Sequence, residues 1–411
     1  MVLLLVLVMG LALFVWRLGS TGLVDETPPL FAAAARAMAE TGDWLTPRVN
    51  GLPRYDKPPL VYWLMGLGYL LPGQAHWNPL GTWAARLPSA LSSVAVMLLL
   101  ADTLLRWPQR AGAAELPAKR QQACTALAAA LAFALSPLVL LWSRIAVSDA
   151  LFSGTLSTAL VLFWRCNAAG GRWPWPAWLV LGLAVLAKGP VAVVLAGLTL
   201  ALFAWRQGDA QGLWRRLRPW PGLLLCAGVA LPWYALELLV EGRPFWDSFF
   251  GYHNLQRFTV VVNHHLQPWW FFGPVLLVAS LPFTPLLLTG LLGALRQPRA
   301  QAAPEQSLPL FAACWLLAVL LFFTVAATKL PSYWIPATPA AGVLIAIAAQ
   351  DLARAPVGVR QRLLRLACLG LLALLTLGLA ASPLWIPLIR EPELPTLPGE
   401  LLASALVLRA A

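Results

Sequence analysis

The stretch from residue 23 to residue 86 concentrates side chains that do acid–base and electrostatic chemistry. Its carboxylates include Asp25, Glu26, Asp43 and Asp56, and its cations include Arg54 and Lys57. A carboxylate beside a hydroxyl accepts its proton, and a cation beside a phosphate stabilises developing negative charge. Two interpretations follow. Either these charges end helices at a membrane surface, or they form a site for an anionic, lipid-linked substrate.

Further polar groups stand singly near the ends of later apolar segments. They are Arg144, Asp149, Lys188, His253, Arg257, Lys329 and Tyr333. The cations favour an anionic ligand, and Lys329 and Tyr333, four residues apart, would share one helix face. Plainer interpretations stay open: Asp149 as a helix N-cap, Arg144 as its ion-pair partner, and Lys188 as a structurally paired charge.

Metal binding has a weaker basis in the sequence. The chain has four histidines and five cysteines, and no CxxC pair or zinc-type spacing occurs. His253 with Asp56 or Glu26 suggests a possible divalent metal, and a hydrogen-bonding role for a lone histidine is the alternative. The adjacent His264 and His265 would point apart on regular structure and form a poor chelate.

The composition indicates an integral membrane protein. The 411 residues are 60% hydrophobic and 11% charged, whereas a soluble domain has about 25% charged residues. Much of the apolar sequence falls in blocks of roughly 17–25 residues, which match a hydrocarbon core about 30 Å thick. The net charge of +12 does not indicate nucleic-acid binding, because the basic residues cluster in short loops between these blocks.

The apolar blocks predict an all-α bundle of about ten or eleven transmembrane helices. The candidate spans are 2–22, 87–105, 123–142, 150–165, 177–187, 190–205, 220–240, 271–294, 308–326, 333–349 and 366–388. The first is interpreted as a retained helix, since it lacks a basic n-region and a clear cleavage site. The two short spans predict a broken hairpin around Lys188-Gly189-Pro190.

The distribution of Lys and Arg predicts the orientation. The loops 106–120, 165–172, 206–218, 296–307 and 351–365 hold 16 of the 29 basic residues. We therefore expect these loops to be cytoplasmic in a bacterial inner membrane, and the loop 23–86 to face the periplasm.

The loop 23–86 predicts two interfacial helices. Thr27 is expected to cap the first, with Pro28 at its first position and Gly42 at its end. The second is expected over Leu60–Leu71. Both would lie along the membrane face and hold the charged residues near one surface.

A series of short motifs resembles glycosyltransferase family 39 of the GT-C superfamily, including bacterial aminoarabinose transferases and protein O-mannosyltransferases. The motifs run in order from about residue 20 to residue 340. They are Asp25-Glu26, Gly42-Asp43-Trp44, Asp56-Lys57-Pro58-Pro59-Leu60, Arg86-Leu87-Pro88-Ser89-Ala90, residues 144–149, Lys188-Gly189-Pro190, residues 231–234, His253-Asn254-x-x-Arg257-Phe258 and residues 328–333. The resemblance implies one GT-C domain over residues 1–388, with 23–86 as its outer catalytic loop and 389–411 as an unassigned tail.

The resemblance also implies an activity, namely transfer of a sugar from a polyprenyl-phosphate carrier to a lipid, glycan or protein acceptor. Asp25 is then the expected base or acceptor-orienting group, with Glu26 and Asp149 as further catalytic carboxylates. The expected donor-phosphate ligands are Lys57, Arg144, Lys188, Arg257, Lys329 and Tyr333. With no second nucleophile evident, we expect direct displacement with inversion.

The chain departs from the family pattern at three points. Asp56 stands where a glutamate is common, Pro28-Pro29 stand where aminoarabinose transferases have Arg and Tyr, and little length remains for a C-terminal soluble domain. A flippase of lipid-linked sugars is the main alternative, although it would favour charges at mid-depth and internal repeats. A non-catalytic scaffold is the third possibility.

Overall fold

The computed structural model describes residues 1–109, 116–261, 266–296, 303–356 and 358–388. Its helices are α1 (Val2–Gly10), α2 (Thr27–Thr41), α3 (Leu60–Tyr69), α4 (Gln74–Trp77), α5 (Thr82–Arg106), α6 (Leu116–Ala134), α7 (Pro137–Trp142), α8 (Ser148–Ala168), α9 (Trp175–Lys188), α10 (Val191–Gln207), α11 (Ala210–Leu217), α12 (Pro219–Val240), α13 (Arg243–Phe245), α14 (Arg257–Thr259), α15 (Phe272–Ala279), α16 (Thr284–Leu295), α17 (Leu308–Val325), α18 (Thr338–Arg354), α19 (Val359–Ala380) and α20 (Ser382–Trp385).

Irregular helices and one small hairpin complete the described secondary structure. Leu11–Val15 and Trp246–Gln256 are π-helical, and Pro304–Gln306, Pro331–Ala337 and Ile386–Leu388 are 3₁₀ turns. The strands β1 (Arg48–Val49) and β2 (Leu52–Pro53) pair antiparallel, with Arg48 opposite Pro53 and Val49 opposite Leu52. The described part of the chain is therefore almost entirely helical, as the sequence predicts.

The core of the bundle surrounds α18. This helix packs against α6, α16 and α17, while α5 and α8 pack against each other beside it. Trp164, Trp315 and Trp334 are buried among these helices. By contrast, α19 has no buried residue, so its apolar side chains are left to face lipid.

Serine hydroxyls join α5 to the segment that begins α8. Ser89 donates to the Val147 carbonyl at 3.1 Å, and Ser92 donates to the Ala150 carbonyl at 2.9 Å. Ser93 is hydrogen-bonded to Ser143 at 2.6 Å. Such bonds between small residues join helices in a bilayer, where apolar surface gains nothing by leaving lipid. They fix the position at which α8 begins, and with it Asp149.

Five helical segments of the described chain have the length and hydropathy to cross a bilayer: α5, α12, α17, Pro331–Arg354 and α19. The pair α15–α16, bent by 112°, makes a sixth if it forms one span. Fewer segments than the predicted ten or eleven thus meet this criterion by themselves. Val2–Val15, α3, α9 and α10 are apolar but shorter, and the break at Ser136 ends α6 inside the predicted span 123–142.

The two helices predicted for the first loop are present as α2 and α3, which pack against each other. Phe31 of α2 stacks on Tyr62 of α3 with ring centroids 5.2 Å apart. The predicted capping by Thr27 is wrong by one residue. Thr27 is already helical, Glu26 occupies the N-cap position without a side-chain bond, and Gly42 ends the helix as expected.

Helix α16 packs closely against α18 at Gly290. A Cβ added there would lie 2.4 Å from the Leu344 carbonyl oxygen, which is backbone and cannot swing away. We predict that Gly290→Ala lowers the free energy of unfolding by about 1–3 kcal/mol, the usual cost of overpacking. Thermal unfolding in detergent would measure this.

The matched control is Gly293→Ala in the same helix. A Cβ at Gly293 meets nothing within 4 Å, so its added helix propensity leaves stability unchanged or raises it by about 0.5–1 kcal/mol. Equal effects of the two substitutions would contradict the close packing of α16 on α18.

Candidate active site

A pocket of about 370 Å³ brings together six of the residues singled out in the sequence. These are Asp56, Lys57, Lys188, His253, Arg257 and Tyr333. They come from the first loop, the α9–α10 break, the π-helical segment with α14, and the 3₁₀ turn after α17. The rest of the wall is mostly apolar, with Val191 and Val194 of α10 on one side and Phe322 and Phe323 of α17 on the other. The pocket therefore combines a cluster of cations with a surface suited to a hydrocarbon chain.

Lys57 is held by the turn that leads into α3. Its ammonium donates to the Asp56 carbonyl at 2.9 Å, and its side chain is 15% exposed. The Asp56 carboxylate accepts from Arg54 at 2.7 Å and from the Tyr62 hydroxyl at 2.9 Å. The pKa of Lys57 is lowered to about 8, chiefly by burial; Asp56 opposes the shift, and nearby Arg257 and Lys188 act in the same direction as burial. Burial thus leaves the cationic form of Lys57 poorly compensated, and an anion bound in the pocket would stabilise it.

A buried ion pair lies at the inner side of the same pocket. The Lys188 ammonium is 2.6 Å from the Asp149 carboxylate, with both side chains less than 20% exposed. Lys188 also lies 5.1 Å from the ring centroid of Tyr333 and 5.3 Å from that of Phe152. Asp149 stands in the first turn of α8, whose N-cap is Val147. The N-cap interpretation of Asp149 is therefore wrong, and its partner is Lys188 rather than Arg144.

His253 and Arg257 both present a nitrogen without a partner. His253 Nδ1 and Arg257 Nε are buried and make no hydrogen bond among the described residues. Burial lowers the pKa of His253 to about 4, and the cationic Lys57 contributes in the same direction. The imidazole is therefore neutral at pH 7. Arg257, in contrast, supplies a third cation to the pocket beside Lys57 and Lys188.

Lys329 and Tyr333 do not share a helix. Lys329 precedes the 3₁₀ turn Pro331–Ala337 that contains Tyr333. Lys329 is 7% exposed and donates to the Ala326 carbonyl at 2.7 Å. It lies behind the pocket wall, which Ala326 and Thr328 form. The expectation of one helix face failed because the prolines at 331 and 336 impose a tighter local turn.

Five predicted site residues do not line the pocket: Asp149 and Lys329, described above, and Asp25, Glu26 and Arg144. Asp25 and Glu26 are exposed at the start of α2, where Asp25 has a φ of +78° and accepts from the Glu26 amide at 2.7 Å. Arg144 donates to the carbonyls of Leu13 and Trp16, both at 2.9 Å. Its guanidinium thus anchors the end of the first helix.

Sequence reasoning missed the supports of the Asp56–Lys57 turn. Glu241, at the end of α12, accepts from the Tyr55 hydroxyl at 2.6 Å and from Arg48 at 2.5 Å. The neighbouring Glu237 is fully buried and accepts from Thr46 at 3.0 Å. The only signal in the sequence was a pair of glutamates four residues apart at the end of an apolar span. Their partners, nearly 200 residues away, leave no local pattern.

Asp56 and His253 are the two pocket residues that bear on a divalent metal. The described residues contain no group of three or more His, Cys, Asp or Glu side chains placed to hold one. Both Asp56 oxygens already accept hydrogen bonds, whereas His253 Nδ1 has no partner. A metal held here would therefore take most of its ligands from a substrate phosphate or water, as Mg²⁺ often does. His264 and His265 lie outside the described residues.

Comparisons with known proteins bear on the fold and the family. No family model matches the chain. The undecaprenyl phosphate-alpha-4-amino-4-deoxy-L-arabinose arabinosyl transferase of Pseudomonas aeruginosa (strain UCBPP-PA14) is 33% identical over 320 residues, covering 76% of this chain and 52% of the relative. The enzyme of the same name from Erwinia tasmaniensis is 30% identical over 330 residues, covering 77% and 53%.

Solved structures agree with these relatives. The crystal structure of ArnT from Cupriavidus metallidurans bound to undecaprenyl phosphate has a TM-score of 0.77 and 28% identity, covering 95% of this chain and 66% of that one. This chain is a GT-C superfamily protein related to the aminoarabinose transferases. It spans about half the length of the curated relatives it matches. The archaeal oligosaccharyltransferase AglB from Archaeoglobus fulgidus, with a TM-score of 0.54 and 13% identity over 95% of this chain and 58% of that one, supports the fold alone.

The GT-C assignment confirms the predicted fold class and the resemblance on which it rested. It also makes the protein a multi-pass membrane protein, as the predicted spans require. The pocket lies where the family motifs of the sequence converge, since the segments carrying Lys57, Lys188, Arg257 and Tyr333 all line it.

The ion pair between Asp149 and Lys188 gives a prediction about stability. Lys188→Met leaves the buried Asp149 carboxylate without its cation, so we expect a loss of about 3–5 kcal/mol in the free energy of unfolding. Adding Asp149→Asn should restore a large part of that loss. Thermal unfolding of the two single variants and the double variant measures the coupling. Strictly additive effects would contradict the pairing.

Proposed function

We propose that this protein is a membrane glycosyltransferase that uses a polyprenyl-phosphate-linked sugar as donor. The observation that carries the proposal is the convergence of Lys57, Lys188 and Arg257 on one pocket with apolar walls. A polyprenyl phosphate has the matching chemistry, since its phosphate is anionic and its chain is apolar. The related enzymes named above, and the ArnT structure bound to undecaprenyl phosphate, support the same donor class.

The reaction breaks the bond between the sugar's anomeric carbon and the phosphate oxygen. Negative charge grows on the leaving phosphate as that bond stretches, and fixed cations stabilise it most where water is largely excluded. Lys57 and Arg257 are placed to do this, because one is only 15% exposed and the other offers a buried, unpartnered Nε. Lys188 contributes less net charge, since Asp149 neutralises it.

The acceptor oxygen forms the new bond to the anomeric carbon on the face opposite the phosphate, which inverts the configuration. If the acceptor is a hydroxyl, Asp25 takes its proton. If it is a lipid phosphate, it is already anionic and Asp25 orients it. Asp25 is exposed at the start of α2, accessible to an acceptor that approaches along the membrane face. The proposed acceptor classes are lipid, glycan and protein.

The orientation follows from the charge distribution and is part of the proposal. The loops rich in Lys and Arg are expected to face the cytoplasm, which puts α2, α3 and the pocket on the periplasmic side of the inner membrane. A flippase of the same lipid-linked sugar is the competing function. It would move the label across the membrane without releasing it from the carrier, so the two functions differ in a single measurable product.

We predict that Lys57→Ala and Arg257→Ala each lower sugar transfer by about 10²-fold or more, the effect of removing an electrostatic group at a developing charge. Asp25→Asn should lower it by about 10²–10⁴-fold if the acceptor is a hydroxyl. The assay is transfer of radiolabelled sugar in membranes supplied with undecaprenyl-phosphate-linked 4-amino-4-deoxy-L-arabinose and other polyprenyl-phosphate sugars, at equal expression.

The matched control is Arg243→Ala. Arg243 is a cation in the same region, but its side chain is 89% exposed, and Asp247 is its one ion-pair partner among the described residues. It should retain near-normal transfer. If label never leaves the carrier with any donor, or if the Lys57 and Arg257 variants behave like the control, the glycosyltransferase proposal fails and the flippase becomes the leading function.

The pKa of Lys57 gives a pH dependence with a defined sign. Lys57 is cationic below about pH 8 and neutral above it. We therefore expect kcat/KM for the donor to fall as pH rises through about 8, approaching tenfold per pH unit. Lys57→Arg keeps its charge at every accessible pH, so its profile should stay flat to higher pH even if its rate is lower. An identical fall in both enzymes would assign the ionisation to another group.

A further inference from the structure

A second pocket, of about 380 Å³, extends along α10 from Val193 to Ala204, toward the end of the α9–α10 hairpin that lies away from Lys188. Its walls come from α9, α10, α11 and α12, and every lining residue is Ala, Gly, Val, Leu, Pro or Trp. Trp178 of α9 lines it ten residues before Lys188, or roughly 15 Å along a helix. The candidate active site makes no use of this pocket, and the two share no lining residue.

The rim of this pocket is basic and aromatic. Arg215 and Arg218 are exposed, and they directly follow and precede the lining residues Trp214 and Pro219 in the sequence. Arg218 also lies over the ring of Trp175 at 5.9 Å. The third arginine of this segment, Arg216, forms an ion pair with Asp209 and donates a hydrogen bond to the Asn167 side chain. That pairing also neutralises the nearby carboxylate, which leaves the rim net positive.

Two tryptophans mark the depth at which this rim lies. Trp214 and Trp220 meet edge to face with ring centroids 6.0 Å apart, and both are more than half exposed. Exposed tryptophans at the ends of membrane helices lie at the level of lipid headgroups. The short helix α11 buries Leu213 and Leu217 against the bundle and leaves its arginines at that same level.

We propose that this pocket is a binding site for one anionic phospholipid of the bilayer. An acyl chain occupies the apolar cavity between α10 and α12, and the phosphate headgroup is bound by Arg215 and Arg218. The charge and the chemistry of the two parts argue for a lipid. A purely apolar partner would leave the arginines unused, and a soluble anion would leave the cavity unfilled. Basic pockets between membrane helices bind anionic headgroups in this way.

The test is native mass spectrometry of the purified full chain, titrated with phosphatidylglycerol or with phosphatidylcholine of the same acyl chains. We expect one phosphatidylglycerol to bind at least about tenfold more tightly than phosphatidylcholine, given the contribution of each basic residue near a headgroup. R215Q/R218Q should reduce this preference to near unity, whereas R215K/R218K should retain most of it. R360Q/R362Q removes two exposed arginines from α19 and should leave it unchanged.

A second variant tests the cavity separately from the headgroup. Gly197 lines the pocket, and a Cβ there meets nothing within 4 Å, so Gly197→Leu fills the cavity without straining the helix. It should weaken binding of both lipids while its thermal midpoint stays near that of the wild type. Equal binding of the two lipids, an unchanged preference in R215Q/R218Q, unchanged binding in Gly197→Leu, or competition by soluble glycerol phosphate would each overturn the proposal.

Discussion

The buried ion pair between Asp149 and Lys188 is the interaction on which the pocket depends. Two charges out of water are costly unless each is matched closely, and 2.6 Å between them meets that requirement. The pair ties the first turn of α8 to the last residue of α9. Around it, Lys57, Arg257 and Tyr333 come from segments far apart in sequence. The pair therefore fixes Lys188 and the ends of α8 and α9, beside which Lys57 and Arg257 keep charges available for a ligand.

Two kinds of contact hold the structure together: close packing between the helices, and polar contacts that attach the first loop to them. Serine hydrogen bonds join α5 to α8, and a close glycine contact joins α16 to α18. Such contacts matter in a bilayer because burying apolar surface between helices gains little over leaving it in lipid. Hydrogen bonds from Arg48 and Tyr55 to Glu241 then hold the first loop on the end of α12. The loop that carries Lys57 is thus fixed by polar contacts to a scaffold that is itself fixed by packing. Lys57 is therefore held in place although the loop that carries it has no hydrophobic core of its own.

Much of this could be predicted from the sequence, and the failures have identifiable causes. Apolar block length predicted the helical membrane fold, and motif order predicted that Lys57, Lys188 and Arg257 belong together. Residue type alone did not separate Arg144, which anchors the first helix by its backbone carbonyls, from the arginine in the pocket. The exact residue at which α2 begins depends on local hydrogen bonding, which the length of an apolar segment does not predict. The long-range pairing of Glu241 with the first loop likewise has no signature in either segment.

The break between α9 and α10 restricts which substitutions the pocket can accept. Gly189 has a φ of +108°, and a Cβ on it would lie 3.2 Å from the ring of Phe249 and 3.3 Å from the Asn254 side chain. Those two residues belong to the same π-helical segment as His253. A larger side chain at residue 189 would therefore displace the α9–α10 turn and the π-helical segment together. The hairpin tip and the π-helical segment therefore limit each other's side chains, whereas the pocket wall formed by α17 can change with less strain.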